Sequence, residues 1–326
     1  MYTLSSKLKL FSIILMAVGL IGLAIGFIVA PSTIEEVKEM VASQDGHGEA
    51  HAAPAHQMES REDAAGLEVV PVENETHAEG EMMGSHDEAH DDEHYEHLLH
   101  QLQNKPWAAL YVAAFFFFMI PLGVLVFYAI QIAAQAGWSP VLFRVMEGIT
   151  SYLLPGAIIV FVLLVLSGLH LNHLFIWMDP EVVENDAIIR NKSGFLNVPF
   201  FLIRAALYIA GWAIFRHFLV RNSNRLDEAE PNDLYYFKKN FKLAAGFLVF
   251  FIVTESMMSW DWIMSLDPHW FSTLFGWYVF SSMFVSGITM IALVTIYLKS
   301  RGHLPFVNDS HIHDLAKFMF GISIFW

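Results

Sequence analysis

The sequence predicts an all-α integral membrane protein, a polytopic helical bundle. Three observations carry this. Of its 326 residues 55% are apolar and 16% charged, against about 45–50% and about 25% for soluble domains. Mean hydropathy is +0.46. Apolar stretches long enough for a bilayer core, which takes about 20 residues per helix, recur along the chain. The absence of cysteine excludes disulfides, Cys-ligated zinc, iron–sulfur clusters and thioether-attached haem within this chain.

The spans are read at 8–30, 107–134, 150–173, 196–218, 241–265 and 273–298, with a seventh beginning near Ile312 and running apolar to Trp326. This last span reads as truncated, which makes the chain a fragment of something longer. The first span follows Lys7 and Lys9 but is longer than a signal-peptide core, and Ile28-Val29-Ala30 is a poor cleavage site, so residues 1–30 are expected to stay as an anchor. Pro121 and Pro155 fall inside spans, where a proline frees a carbonyl and bends the helix.

The net charge of −15 sits in one place. Residues 31–105 hold nineteen of the thirty-three acidic residues against Lys38, Arg61 and Lys105, which leaves the remainder at +1. No basic stripe exists for nucleic acid. With a cytoplasmic N-terminus, twelve Lys and Arg residues fall on inner segments and five on outer ones, which places the acidic segment outside the cytoplasm.

That segment has nine histidines, and His86, His90, His94 and His97 would share one helical face. Composition of this kind is compatible with metal binding. The reading favoured by its poverty in branched aliphatic and aromatic residues is a largely disordered solvated tether. Deleting residues 43–79 should then leave assembly near normal, checked by the yield of assembled protein; loss of assembly would mean that the segment docks a partner.

Ionisable groups at membrane depth cost about 2.5–3.5 kcal/mol on insertion scales, so each is a candidate site residue. At the outer mouth lie His170, Asn172, His173 and Asp179, with Trp260, Asp261, Trp262 and Trp270 at the next outer loop. His170 and His173 would share a helical face at i, i+3. No facing histidine exists at matching depth for a transmembrane haem. At the inner mouth lie Glu147, read as a first-turn acid favoured by the helix dipole or a proton intake, and Arg216, a positive-inside anchor. Near mid-depth lie Arg204 and Glu255. Their similar depth predicts an ion pair, with Tyr208 and the hydroxyls of Thr254, Ser256 and Ser259 around a short water chain.

The stretch Met264-Ser265-Leu266-Asp267-Pro268-His269-Trp270-Phe271-Ser272-Thr273-Leu274-Phe275-Gly276-Trp277-Tyr278, with Met258-Ser259-Trp260-Asp261-Trp262 before it, resembles the signature of the large membrane subunits of bacterial alternative complex III, of the ActF type. Those subunits are similar to the polysulfide-reductase (NrfD-like) membrane subunits. The resemblance covers the spans from 107 onward. It implies four-helix-bundle repeats flanked by single helices, with a first bundle at 106–268 and the start of a second at 269–326. It implies a bacterial inner-membrane subunit of a quinol-oxidising electron-transport complex, itself free of cofactors. Partners would carry haem and iron–sulfur clusters: a multihaem cytochrome, an iron–sulfur subunit, a second large membrane subunit and a terminal oxidase.

In this setting the proton-path candidates are Glu255, Arg204, Asp261, His170, His173 and Glu147. The alternative, a quinol site in the chain itself, would use His170, His173 and Asp261 with a wall of Trp260, Trp262 and Trp270. A second alternative is an independent secondary transporter.

Overall fold

A computed structural model describes residues 6–45, 84–230 and 233–326. The structure is 81% helical, with no strand among the described residues. Among the described residues six helices are long and apolar enough to cross a membrane, and the chain is an all-α polytopic membrane protein. Two compact units divide it, Met1–Pro106 and Trp107–Trp326.

In the first unit, α1 (Ser6–Val29) has no buried residue. Its apolar side chains point outward all round, Ile28 being 81% exposed, as lipid rather than water permits. After it, α2 (Ile34–Asp45) starts with Ser32 and Thr33. The Ser32 amide and hydroxyl donate to the Glu36 carboxylate, and the Glu36 amide, in the first turn, donates to Thr33 Oγ1. The Gln103 amide donates to the Pro31 carbonyl at 3.2 Å.

The helix α3 (Gly84–Ala133) runs unbroken through Pro121. Residues 86–100 are therefore helical, as the spacing of the four histidines supposes; residues 46–83, with the other insert histidines up to His77, lie outside the described residues. The end of α3 turns on Gln135 at φ 52°, with the Ala136 amide reaching back to the Gln131 carbonyl.

A 3-10 turn at Pro140–Leu142 leads to α4 (Phe143–Thr150) and α5 (Leu153–Gly168). Pro155 thus stands in the first turn of α5, where its missing N–H removes no helical bond. The predicted span at 150–173 is corrected here: the helical stretch lies at Pro140–Gly168.

Two short helices follow, α6 (Pro180–Asn185) and α7 (Ala187–Lys192), capped by Asp179 and Asp186. The long helices α8 (Val198–Asp227) and α9 (Tyr235–Trp262) come next, with Asn197 capping α8 through the Phe200 amide at 3.0 Å. Beyond a 3-10 turn at Met264–Leu266 come α10 (Phe275–Ser300) and α11 (Asp309–Phe325). Asn308 and His311 form a reciprocal capping box at the start of α11. At 17 residues α11 is shorter than the six spans.

The core of the second unit is aromatic. Trp212 of α8 and Trp262 of α9 are fully buried and meet edge to face at 6.1 Å, with Phe118 of α3 and Tyr208 of α8 each within about 6 Å of both. Two polar tips find partners within this packing, while Trp262 Nε1 is buried without one. The Tyr111 hydroxyl donates to the Trp262 carbonyl at 2.7 Å, and the Trp212 N–H donates to Thr254 Oγ1 at 3.0 Å. Against this group α10 crosses α3 at very short range: a Cβ on Gly123 would collide with the Met283 carbonyl oxygen. Small residues are what let membrane helices approach so closely.

Candidate functional site

Two carboxylates on α9 are buried, and they have opposite surroundings. Asp261 is fully buried and Arg204 is 5% exposed. The guanidinium grips the carboxylate in a bidentate pair, Nε to Oδ2 at 2.8 Å and Nη2 to Oδ1 at 2.7 Å. Tyr208 donates its hydroxyl to Oδ2 at 3.1 Å. Arg204 Nη1 donates to the Phe195 carbonyl at 3.1 Å, and the rings of Phe195 and Phe200 cover the guanidinium at 4.0 and 4.2 Å. Both charges are thus desolvated, paired and hydrogen-bonded, which such a pair needs in order to hold.

The expected partner was Glu255, and this is corrected. Glu255 lies six residues before Asp261, about 9 Å lower along α9 at 1.5 Å per residue. A long arginine side chain near a helix end extends toward that end, so Arg204 meets Asp261 and the Phe195 carbonyl instead. Glu255, 4% exposed, is left with Oε1 buried and unpartnered. Its other oxygen has only Ser256 Oγ, at 3.5 Å.

The expected hydroxyl chain is not assembled either. Thr254 donates to the Phe250 carbonyl, Ser256 to that of Ile252 and Ser259 to that of Ser256. Each is turned back on α9.

At the opposite end of α8, Glu147 is buried in the middle of α4 and is not a first-turn acid. It accepts from Tyr128 Oη at 2.8 Å and Arg144 Nη1 at 2.5 Å. Arg144 also pairs with Asp227 and Asn224, so Glu147 belongs to a network tying α3, α4 and α8. Arg216 donates to Thr150 at 3.2 Å.

His170 and His173 do not share a helical face, because α5 ends at Gly168. His170 is exposed, with φ 58°. The Leu171 amide returns to the Leu166 carbonyl at 3.1 Å, so His170 takes the left-handed position of a Schellman cap. His173 is half-buried in the following segment. A left-handed non-glycine residue costs about 1 kcal/mol. His170→Gly should therefore raise the melting temperature and leave activity intact; a loss of activity without a loss of stability would give the imidazole a chemical task. Asn172 closes the same turn, accepting from Ser167 Oγ at 2.7 Å.

The signature residues build a staple. Asp267 accepts from the His269 amide at 3.2 Å, Pro268 gives its carbonyl to Lys192 Nζ at 2.5 Å, and His269 Nε2 meets Asp186 Oδ2 at 2.5 Å. The Ile189 amide, and with it His269, holds the Asp186 carboxyl below the ordinary carboxylate range. A depressed carboxyl stabilises fully above its ordinary range, and that contribution is lost as pH falls through the folded value. Amide exchange in residues 186–192 and 267–272 should accordingly rise on acidification below the ordinary carboxylate range. Asp186→Asn should abolish that pH dependence.

The tryptophan wall divides. Trp260 and Trp270 line a cleft of about 430 Å³ with Lys192, Phe195 and Phe271, whereas Trp262 is locked in the core and Asp261 behind Arg204. Neither histidine lines the cleft. Reasoning from sequence missed Trp212, Tyr111 and Phe195; for Trp212 and Tyr111 the usable signal was that a buried indole or phenol usually takes a polar partner, and Phe195 has no such signal. Compared with known protein families and with curated proteins, the sequence matches none.

Proposed function

We propose that this chain is a membrane subunit of a quinol-oxidising respiratory complex of the alternative complex III type, anchoring peripheral electron-transfer subunits in a bacterial inner membrane with residues 31–105 outside the cytoplasm. Its partners are the multihaem cytochrome, the iron–sulfur subunit, the second large membrane subunit and a terminal oxidase, and the haem and clusters belong to them. The observation that carries this is the signature at 258–278, whose Asp267, Pro268 and His269 take part in an ordered staple on a multi-pass helical unit. Removing the chain from cells should abolish quinol-dependent cytochrome reduction by their membranes; unchanged rates would refute the proposal.

The same subunit contributes to proton movement through Glu255. Its unpaired oxygen supports this, because a carboxyl without a fixed cation is free to exchange a proton, whereas Asp261 is held by Arg204. Glu255→Gln keeps volume and removes titration. Assembled complex bearing it should release fewer protons per electron in proteoliposomes, and a wild-type ratio would end the proton role.

A second reading, a quinol headgroup held by this chain, is favoured by the cleft against Trp260 and Trp270. An azido-quinone should then label residues 260–271, and absence of label there counts against it.

A further inference from the structure

Glu255 borders a pocket of about 240 Å³ whose other lining residues, Ser256 apart, are apolar; Val126 comes from α3, Phe251 and Ile252 from α9, and Trp277 and Phe280 from α10. Two of these, Ile252 at 62% and Trp277 at 59% exposed, lie on outward faces of membrane-spanning helices. The pocket is thus reached from the lipid side. Glu255 lines it, and Oε1 of this carboxyl is buried with no hydrogen-bond partner, the only carboxylate oxygen among nine such side-chain atoms in the described residues. Arg204 is committed to Asp261, and among the described residues no ion pair to Glu255 exists to hold it as a fixed charge.

We propose that this pocket is a ligand site entered from the bilayer. It takes an apolar, membrane-partitioning molecule whose nitrogen or oxygen hydrogen-bonds the Glu255 carboxyl, and apolar carbodiimides are covalent members of that class. The inference does not depend on the respiratory assignment.

The carbodiimide reaction is an addition. The carboxylic acid passes its proton to one carbodiimide nitrogen, and its oxygen bonds to the central carbon as one C=N π bond is consumed. In a site without water the resulting O-acylisourea moves its acyl group to nitrogen and persists as an N-acylurea. All atoms of both reactants are retained, and no oxidant or reductant enters. Asp261 on the same helix is the internal control: equally buried, it is engaged on both oxygens.

The experiment treats the full chain in native membranes with dicyclohexylcarbodiimide or, separately, with a water-soluble carbodiimide, and maps adducts by peptide mass spectrometry. The expected result is an adduct at Glu255 with the apolar reagent, none with the soluble one, none at Asp261, and loss of the adduct in Glu255→Gln. No adduct at Glu255, equal adducts with both reagents, or equal labelling of Asp261 would overturn the proposal. The wild-type comparison decides even if the variant misfolds.

Discussion

Arg204→Ala should cost about 3–5 kcal/mol, the penalty for removing one partner of a buried pair, and most of the chain should fail to reach a folded, monodisperse state in detergent. The carboxylate left behind is fully buried, and only Tyr208 and its own helix remain to solvate it. Arg204→Lys should rescue little, since one ammonium cannot serve both carboxylate oxygens and the Phe195 carbonyl. Replacing both charges with leucine should recover much of the loss, because an apolar pair removes the desolvation penalty along with the attraction. A double-mutant cycle gives the sharper reading. Arg204 and Asp261 should be strongly coupled, and Arg204 and Glu255 nearly additive. The opposite result would restore the depth-based pairing and place the folded arrangement in error.

Gly123→Leu and Gly287→Leu should each separate α10 from α3. The contact is backbone to backbone: a Cβ on Gly287 would lie 2.8 Å from the Gly123 carbonyl carbon and the Val124 nitrogen. No flexible side chain can give way there, so the helices themselves must part. Overpacking costs about 1–3 kcal/mol where side chains can adjust, and this crossing should sit at or above the upper end. Even alanine should destabilise, although it is the better helix former by about 1 kcal/mol. At Gly19 and Gly22 of α1 an added Cβ would meet nothing within 4 Å, so alanine there should be mildly stabilising through its helix propensity. Melting curves of the four alanine variants would separate the two sites; equal effects at all four would contradict the close crossing.

The membrane-spanning helices were legible in the sequence because one physical quantity, twenty or so apolar residues in a row, dictates them. The start of α8 was legible, the fourth span being read from 196 and the helix beginning at Val198. The end of α5 was not. Its stop is a left-handed His170 where a glycine would have announced it, so the third span was carried on to His173 and a shared histidine face was inferred that does not exist. Pairing inside the unit was also hidden. Helices that are apolar on nearly every face carry little periodicity to orient them, and depth alone could not choose between Glu255 and Asp261. The choice depended on the direction in which the Arg204 side chain extends and on a carbonyl in the preceding turn. Glu147 shows the same limit in part: Arg144, three residues before it on α4, is an i,i+3 partner that the spacing offers, whereas Tyr128 comes from α3 and has no local signature.

Membership of a quinol-oxidising complex is tested by a pull-down of the tagged full chain from native membranes in mild detergent, followed by mass spectrometry and an absorption spectrum. The expected result is a stable set of partners that includes a multihaem cytochrome, a Soret band in the purified material, and loss of that band when this chain is stringently separated from its partners. Recovery of the chain alone, colourless and without a cytochrome, would contradict it and favour an independent transporter.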